Sequence, residues 1–488
     1  MNSYTFNDLN KQAIAGSWRD GNGKNRMKNT NPYSLQALGD VQSASADDLD
    51  QAYESAHNAQ KEWIHINPYQ RRDMLLHTAQ LLEKREEEIT ELIIDELGGT
   101  RLKAAFEIGL VKDMIKEAAT YPLRMDGQIL PSPVDGKENR VYRMPVGVVG
   151  VISPFNFPFY LSMKSVVTAI GAGNGVVIKP HEDTPVTGGT MIVNLFEESG
   201  LPLGLVNAVI TEISEIGDRF VSHPLNKVVS FTGSTTVGRK IGELAGKYLK
   251  KASLELGGNS ALIVLDDADI DYAVSAAVFS RFTHQGQICM SANRIIVHES
   301  IKDTFLTKYK EVVSSLTTGD PRDGDTIIGP LINKKQVDTL MEVVNKGIEE
   351  GATPYLKGDV DGNVVSPTIL TDVKPEMTVA NQELFGPVVS VLTFKTDEEA
   401  VEVANASDYG LSGAVHTTDV ERGAELAKRM ETGMIHVNDG TINDEPLVAF
   451  GGEKMSGVGR LNGSNSLDAF TTQKWISVQH TKRAFPYS

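Results

Sequence analysis

Three residues of this 488-residue chain have the types needed to attack a carbonyl group and to resolve the covalent intermediate that forms. Cys289, in Gly286-Gln287-Ile288-Cys289, is the single cysteine. A thiolate is the strongest nucleophile a protein offers near neutral pH. Glu255, in Leu254-Glu255-Leu256-Gly257-Gly258, lies 34 positions upstream and can act as a base. Asn156, in Ser153-Pro154-Phe155-Asn156-Phe157-Pro158, carries an amide that can donate to an oxyanion. Alone, each has a blander reading: an inert buried thiol, a structural glutamate before Leu-Gly-Gly, a turn asparagine beside prolines. Together they suit attack on a carbonyl carbon, oxyanion stabilisation by the Asn156 amide and the Cys289 N–H, and activation of a water by the Glu255 carboxylate to release an acyl group left on sulfur. A carboxylate in a partly dry site should have a raised pKa, towards the range where it accepts a proton near neutrality.

Hydride removal would require a dinucleotide, yet no GxGxxG follows a strand. The substitute is Ser230-Phe231-Thr232-Gly233-Ser234-Thr235-Thr236-Val237-Gly238. It closes a predicted strand and opens a helix running to about residue 249. Gly233 and Ser234 would leave backbone N–H groups free to meet a phosphate at the helix N-terminus. No Gly-Lys-Ser/Thr follows, so this is not a Walker loop.

The elements that must position these residues alternate. Apolar residues at three- and four-residue steps predict helices over 47–63, 68–97 and 102–120, the second ended by Gly98-Gly99. Residues 127–144 mix polar and alternating apolar positions, as in a protruding hairpin. Strands are then expected at 146–152, 175–178, 205–210 and 227–231, with helices at 160–170 and 185–198 between them. The alternation restarts after Glu255. Strands are expected at 261–265, 294–297, 388–394 and 434–437, and helices at 270–283, 300–315 and 334–350. The fold class is therefore α/β, with two doubly wound, mainly parallel open sheets.

The order and spacing of Asn156, Glu255 and Cys289 resemble the aldehyde dehydrogenase superfamily from about residue 15 to the C-terminus. The resemblance implies a cofactor domain from 1–121 and 144–256, a catalytic domain over 257–465, and a small β oligomerisation element from 122–143 and 466–488. It assigns Lys179 and Glu182, in Ile178-Lys179-Pro180-His181-Glu182, to the adenosine ribose. It assigns Glu383 and Phe385, in Asn381-Gln382-Glu383-Leu384-Phe385-Gly386-Pro387, to the nicotinamide ribose and ring. A carboxylate at Glu182 accepts ribose hydroxyls but repels a 2′-phosphate, so NAD is expected, with NADP as the alternative. Members that pass the acyl group to coenzyme A commonly lack the glutamate at Glu255, so its presence implies a free acid product.

Phe157, Phe159, Tyr160, Ile288, Met290 and Phe450 flank the motifs and form a candidate substrate pocket, apolar and aromatic. Leu161-Ser162-Met163-Lys164-Ser165, Asn443-Asp444-Glu445-Pro446 and Trp475-Ile476-Ser477-Val478-Gln479 resemble the benzaldehyde and vanillin dehydrogenase branch. An aromatic aldehyde is the expected substrate. An aliphatic or semialdehyde member, a non-redox thiol acyltransferase or esterase, and a catalytically silent structural relative are the alternatives.

The chain has 47 Lys and Arg against 64 Asp and Glu, a net charge of −17, which argues against binding nucleic acid or anionic membranes. One cysteine allows no internal disulfide and fits a cytoplasmic setting. No apolar run reaches the length of a transmembrane helix, and no secretory signal is visible. The ten histidines are scattered, so no metal site is expected. A homodimer or homotetramer is expected from strands offered at an edge.

Overall fold

A computed structural model describes residues 5–487. Two open sheets dominate. The first has eight strands in the spatial order Ser17–Arg19, Gln12–Ile14, Val206–Ala208, Gly175–Lys179, Val148–Ile152, Asn226–Thr232, Lys251–Glu255 and Gly457–Val458. Its five central strands are parallel and its edge pieces antiparallel. The central strands are almost wholly buried, because helices such as Ala46–Trp63 and Pro158–Gly171 cover both faces. Chain order runs outward from Val148–Ile152 in one direction, then restarts beside it at Asn226–Thr232. That reversal opens a crevice at the carboxyl ends of the strands, where doubly wound sheets bind ligands.

The second sheet has seven strands, in the order Thr353–Leu356, Thr368–Thr371, Val388–Phe394, Ala292–His298, Ser260–Val264, Gly413–His416 and His436–Val437. All but the first pair are parallel. A three-stranded antiparallel sheet stands apart, with Lys137–Pro145 between Gly127–Leu130 and Thr471–Gln479. Among the described residues no helix is long and apolar enough to cross a membrane.

Several local features differ from the sequence expectation. The helix expected over 68–97 is two helices, Pro68–Lys84 and Glu86–Leu97. The break is at Arg85, whose backbone leaves the helical region while its guanidinium turns inward to Asn194 Oδ1 (2.6 Å), Glu88 and Glu198. The helix expected over 185–198 opens with a π-helical turn, Val186–Thr190, before the α-helix Met191–Glu198. Buried Glu96 takes the N–H groups of Val186 and Thr187 and the Thr187 hydroxyl, drawing that first turn wide. Four N-terminal strands, Gln12–Ile14, Ser17–Arg19, Arg26–Thr30 and Ala37–Gln42, have no counterpart in the sequence pattern; each is short or partly exposed, so alternation is weak. Gly457–Val458 pairs with Lys251–Glu255, so a piece of the segment 257–465 completes the first sheet rather than the second.

Candidate active site

The carboxyl ends of the first sheet face the amino ends of the second. Ile152 leads directly to Asn156, Lys179 and Glu255 end their strands, and Thr232 leads to Gly233 and Ser234. From the other side, Cys289 precedes Ala292–His298, and Glu383 and Phe385 precede Val388–Phe394. Residues distant in sequence therefore share one cleft.

Two glycines let the walls close. A Cβ on Gly258 would lie 2.1 Å from the Cys289 carbonyl oxygen, and one on Gly257 would lie 2.6 Å from Glu383 Oε2. Only glycine fits the first approach, which is to backbone; at Gly257 a Cβ would displace the Glu383 carboxylate. The Gly258 N–H donates to Glu383 Oε1 at 2.9 Å. The turn that delivers the thiol carries two consecutive left-handed residues without being glycine, His284 (φ 50°) and Gln285 (φ 53°). That conformation is costly and is held by the surroundings: Gln285 Nε2 donates to Pro330 O at 2.9 Å, and Arg281 donates to the carbonyls of Gly286, Leu384 and Gly386. Buried Arg281 thus ties the Cys289 loop to the Glu383 loop.

The Asn156 amide is buried and donates to Gln287 O at 2.9 Å. This bond aims the amide at the Cys289 loop and uses one of its two hydrogens. Cys289 is half-buried. Burial pushes its thiol well above the usual range, and the charges of Glu383 and Glu255 add to the rise. The free thiol is therefore held protonated at neutral pH.

Glu255 is buried, and neither carboxylate oxygen has a hydrogen-bond partner. Burial pushes its carboxyl up to about 8; Asp444 adds to the rise, and Lys164 and Arg460 oppose it. An unpartnered carboxylate in a dry cleft is poised to take a proton near neutrality. Burial likewise lifts Glu383 to about 7, against the Gly258 N–H and Arg281.

The proposed cofactor residues lie along one side. Lys179 Nζ donates to Glu182 Oε1 at 2.7 Å. Burial would raise the Glu182 carboxyl, but Lys179 and His181 hold it below its ordinary value. Phe155 bridges the two candidate ribose segments, meeting His181 edge-on at 5.2 Å and Phe385 edge-on at 5.7 Å. Ser234 caps the helix Thr235–Lys247, accepting from the Val237 N–H. The Gly233 N–H is not free, contrary to the expectation from the sequence, because the parallel pairing of the two strands directs it to the Glu255 carbonyl. Exposed Ser234, Thr236 and Val237 and half-buried Thr235 leave this helix end open.

A pocket with about 410 Å³ of empty space, counting its open mouth, reaches Cys289 and Asn156. Phe157, Tyr160, Ile288, Met290 and Phe450 line it, as expected from the sequence. Phe159 does not. It is fully buried in the core of the first sheet, because it follows Phe157 by two positions at a helix N-terminus and turns to the opposite side. Sequence reasoning missed Phe106, Leu110, Leu161, Ile442 and Asp444, which complete the lining. Phe106 and Leu110 share one face of the helix Arg101–Ala118, a four-residue step that could have marked them as a pair. Phe106 meets Phe157 edge-on at 6.3 Å.

The aldehyde dehydrogenase family model matches residues 18–476. The chain belongs to this family. A benzaldehyde dehydrogenase of Bacillus subtilis strain 168 is 63% identical over 484 residues, covering 99% of this chain and 100% of that protein. A vanillin dehydrogenase of Corynebacterium glutamicum is 48% identical, covering 97% of this chain and 98% of that protein. The crystal structure of a NAD-dependent benzaldehyde dehydrogenase from Corynebacterium glutamicum superposes with a TM-score of 0.90 at 45% identity, covering 97% and 99% of the two chains. Family membership sets aside the non-redox acyltransferase or esterase reading.

Proposed function

We propose that this family member oxidises an aromatic aldehyde to the carboxylic acid with NAD, using Cys289 as nucleophile. The observation that carries the reading is the pocket: aromatic walls of Phe106, Phe157, Tyr160 and Phe450 close on Cys289 and Asn156. A planar ring buries its faces against such walls, with about 0.5–1.5 kcal/mol for each well-placed aromatic pair. The names of the relatives, benzaldehyde and vanillin dehydrogenases, point the same way.

Lys179, Glu182, Gly233, Ser234, Glu383 and Phe385 suit a nicotinamide dinucleotide laid across the cleft. The acidic Glu182 disfavours a 2′-phosphate, and the NAD-dependent structural neighbour supports the same choice. The bound cofactor would accept the hydride. The chain's own residues do the rest. The Cys289 thiol gives up its proton to solvent as its sulfur adds to the aldehyde carbon, and the Asn156 amide and Cys289 N–H stabilise the oxygen that becomes negative. After oxidation the acyl group remains on sulfur as a thioester. Glu255 takes a proton from water as that water attacks, and the acid leaves.

The exposed Trp475 and Ile476 of Thr471–Gln479 and Ile129 and Leu130 of Gly127–Leu130 support assembly as a homodimer or homotetramer through the small sheet. The lack of a disulfide supports a cytoplasmic setting.

The test is a kcat/KM panel of acetaldehyde, hexanal, benzaldehyde and vanillin at saturating NAD. The aromatic substrates should exceed both aliphatic ones. Higher kcat/KM for acetaldehyde or hexanal refutes the aromatic reading.

A further inference from the structure

An apolar pocket has no evident use for a buried ion pair, yet one is built into its wall. Lys164 lies on the helix Pro158–Gly171, and its side chain is 2% exposed. Its Nζ is 2.8 Å from Asp444 Oδ2, and the Asp444 side chain is 4% exposed. Asn462 Nδ2 donates to the other Asp444 oxygen at 2.7 Å. The ammonium also sits 3.5 Å from the ring centroid of Phe450 and 5.7 Å from that of Tyr160. Phe450, Tyr160 and Asp444 all line the pocket that holds Cys289. Removing such a pair from water is expensive, and apolar side chains of equal volume often serve stability as well or better. Stability alone does not account for it.

Consecutive residues join this pair to the unpartnered glutamate. The ammonium stands over Phe450, and the next residue, Gly451, backs onto Glu255, where a Cβ would lie 3.2 Å from Oε1. We propose that Lys164, anchored by Asp444, is a positioning residue for catalysis whose charge keeps the buried Glu255 carboxylate available as a proton acceptor. The inference rests on the reading of Glu255 as the deacylation base. The charged groups facing Glu255 are few. Lys164 and Arg460 favour its ionised form, and Asp444 disfavours it. The Arg460 side chain is 27% exposed and paired with Glu453, so solvent and a counter-charge weaken it. Lys164 is enclosed and acts through a drier medium. Cys289 is the remaining titratable neighbour, and Glu383 faces that thiol.

The experiment is the pH profile of benzaldehyde turnover at saturating NAD for the wild type, K164M, K164R, D444N and E255Q. K164M keeps length and apolar volume but loses the charge. Its midpoint should move to higher pH by about one unit, the low end of a nearby charge's effect on a carboxyl. Turnover at pH 7 should fall roughly tenfold and recover as the pH is raised. K164R should restore the wild-type midpoint, and D444N should move it to lower pH. A K164M loss that is uniform across pH, with an unmoved midpoint, overturns the proposal. If K164M does not fold, K164Q takes its place, and an unmoved midpoint there overturns the proposal equally. E255Q separates the two levels: normal turnover there refutes the base itself, whereas collapse there with no shift in K164M refutes only the role of Lys164.

Discussion

Glu255 gives the sharpest quantitative expectation. Its carboxyl is pushed up to about 8 by burial, from an ordinary 4.5. At pH 7 about one tenth of the enzyme then carries the ionised base, and at pH 6 about one hundredth. If thioester hydrolysis limits turnover, kcat should climb about tenfold per pH unit from pH 6 to 7 and level off above about pH 8.5. Rapid mixing at pH 6 should show a burst of NADH close to one per active site, followed by a slow steady rate. Glu255→Gln should keep the burst and lower the steady rate by roughly a hundredfold or more. The same burial has a stability consequence with a definite sign. The folded state holds the Glu255 proton more tightly than the unfolded state, so this stability is complete below pH 4.5 and is lost as pH rises through about 8. The loss is about 1.4 kcal/mol per unit, at most about 4 kcal/mol by pH 7.5. Between pH 5 and pH 7.5 the denaturation midpoint of the wild type should therefore fall relative to that of Glu255→Gln. A flat kcat between pH 6 and 8, or parallel stability profiles for the two proteins, would refute the reasoning.

Three further variants probe the geometry. Asn156→Ala removes the amide held by Gln287 O and should lower kcat by about 10²–10³, with NAD affinity measured by fluorescence titration unchanged. Glu182→Gln should raise kcat/KM with NADP by about tenfold and change NAD use less, because it removes the charge that repels a 2′-phosphate; an unchanged NADP/NAD ratio would move cofactor selection elsewhere. Phe106→Ala removes an aromatic wall of the pocket and should lower kcat/KM for benzaldehyde by about two- to tenfold relative to acetaldehyde, the worth of one aromatic contact.

The parts legible in the sequence share a physical cause. Buried parallel strands appear as continuous apolar runs, so Val148–Ile152, Gly175–Lys179 and Ser260–Val264 are visible within a residue or two. Asn156, Glu255 and Cys289 can be named because each lies in a short motif near a strand end, where glycine or proline marks the chain reversal, whereas Glu383 is named only through the family resemblance of its segment. Other features depend on contacts that no local pattern encodes. The break at Arg85 is made by Asn194 and Glu198, more than a hundred residues away. The π-helical turn at Val186 is made by Glu96. Asp444 and Phe106 enter the pocket from segments far apart in the chain, and Lys164 reads as any helix lysine until its partner is known. Phe159 is misassigned from sequence because proximity to Asn156 along the chain says nothing about which side of the helix N-terminus faces the pocket.

The central claim is that one thiol carries the acyl group while Glu255 removes it. Glu255→Gln should be mixed with NAD and benzaldehyde, quenched in acid, digested and analysed by mass spectrometry. The account predicts a benzoyl group on the peptide containing Cys289, with close to one NADH formed per subunit and no adduct when NAD is left out. NADH formation without an acylated Cys289 peptide, or an acyl group on any other residue, would contradict it.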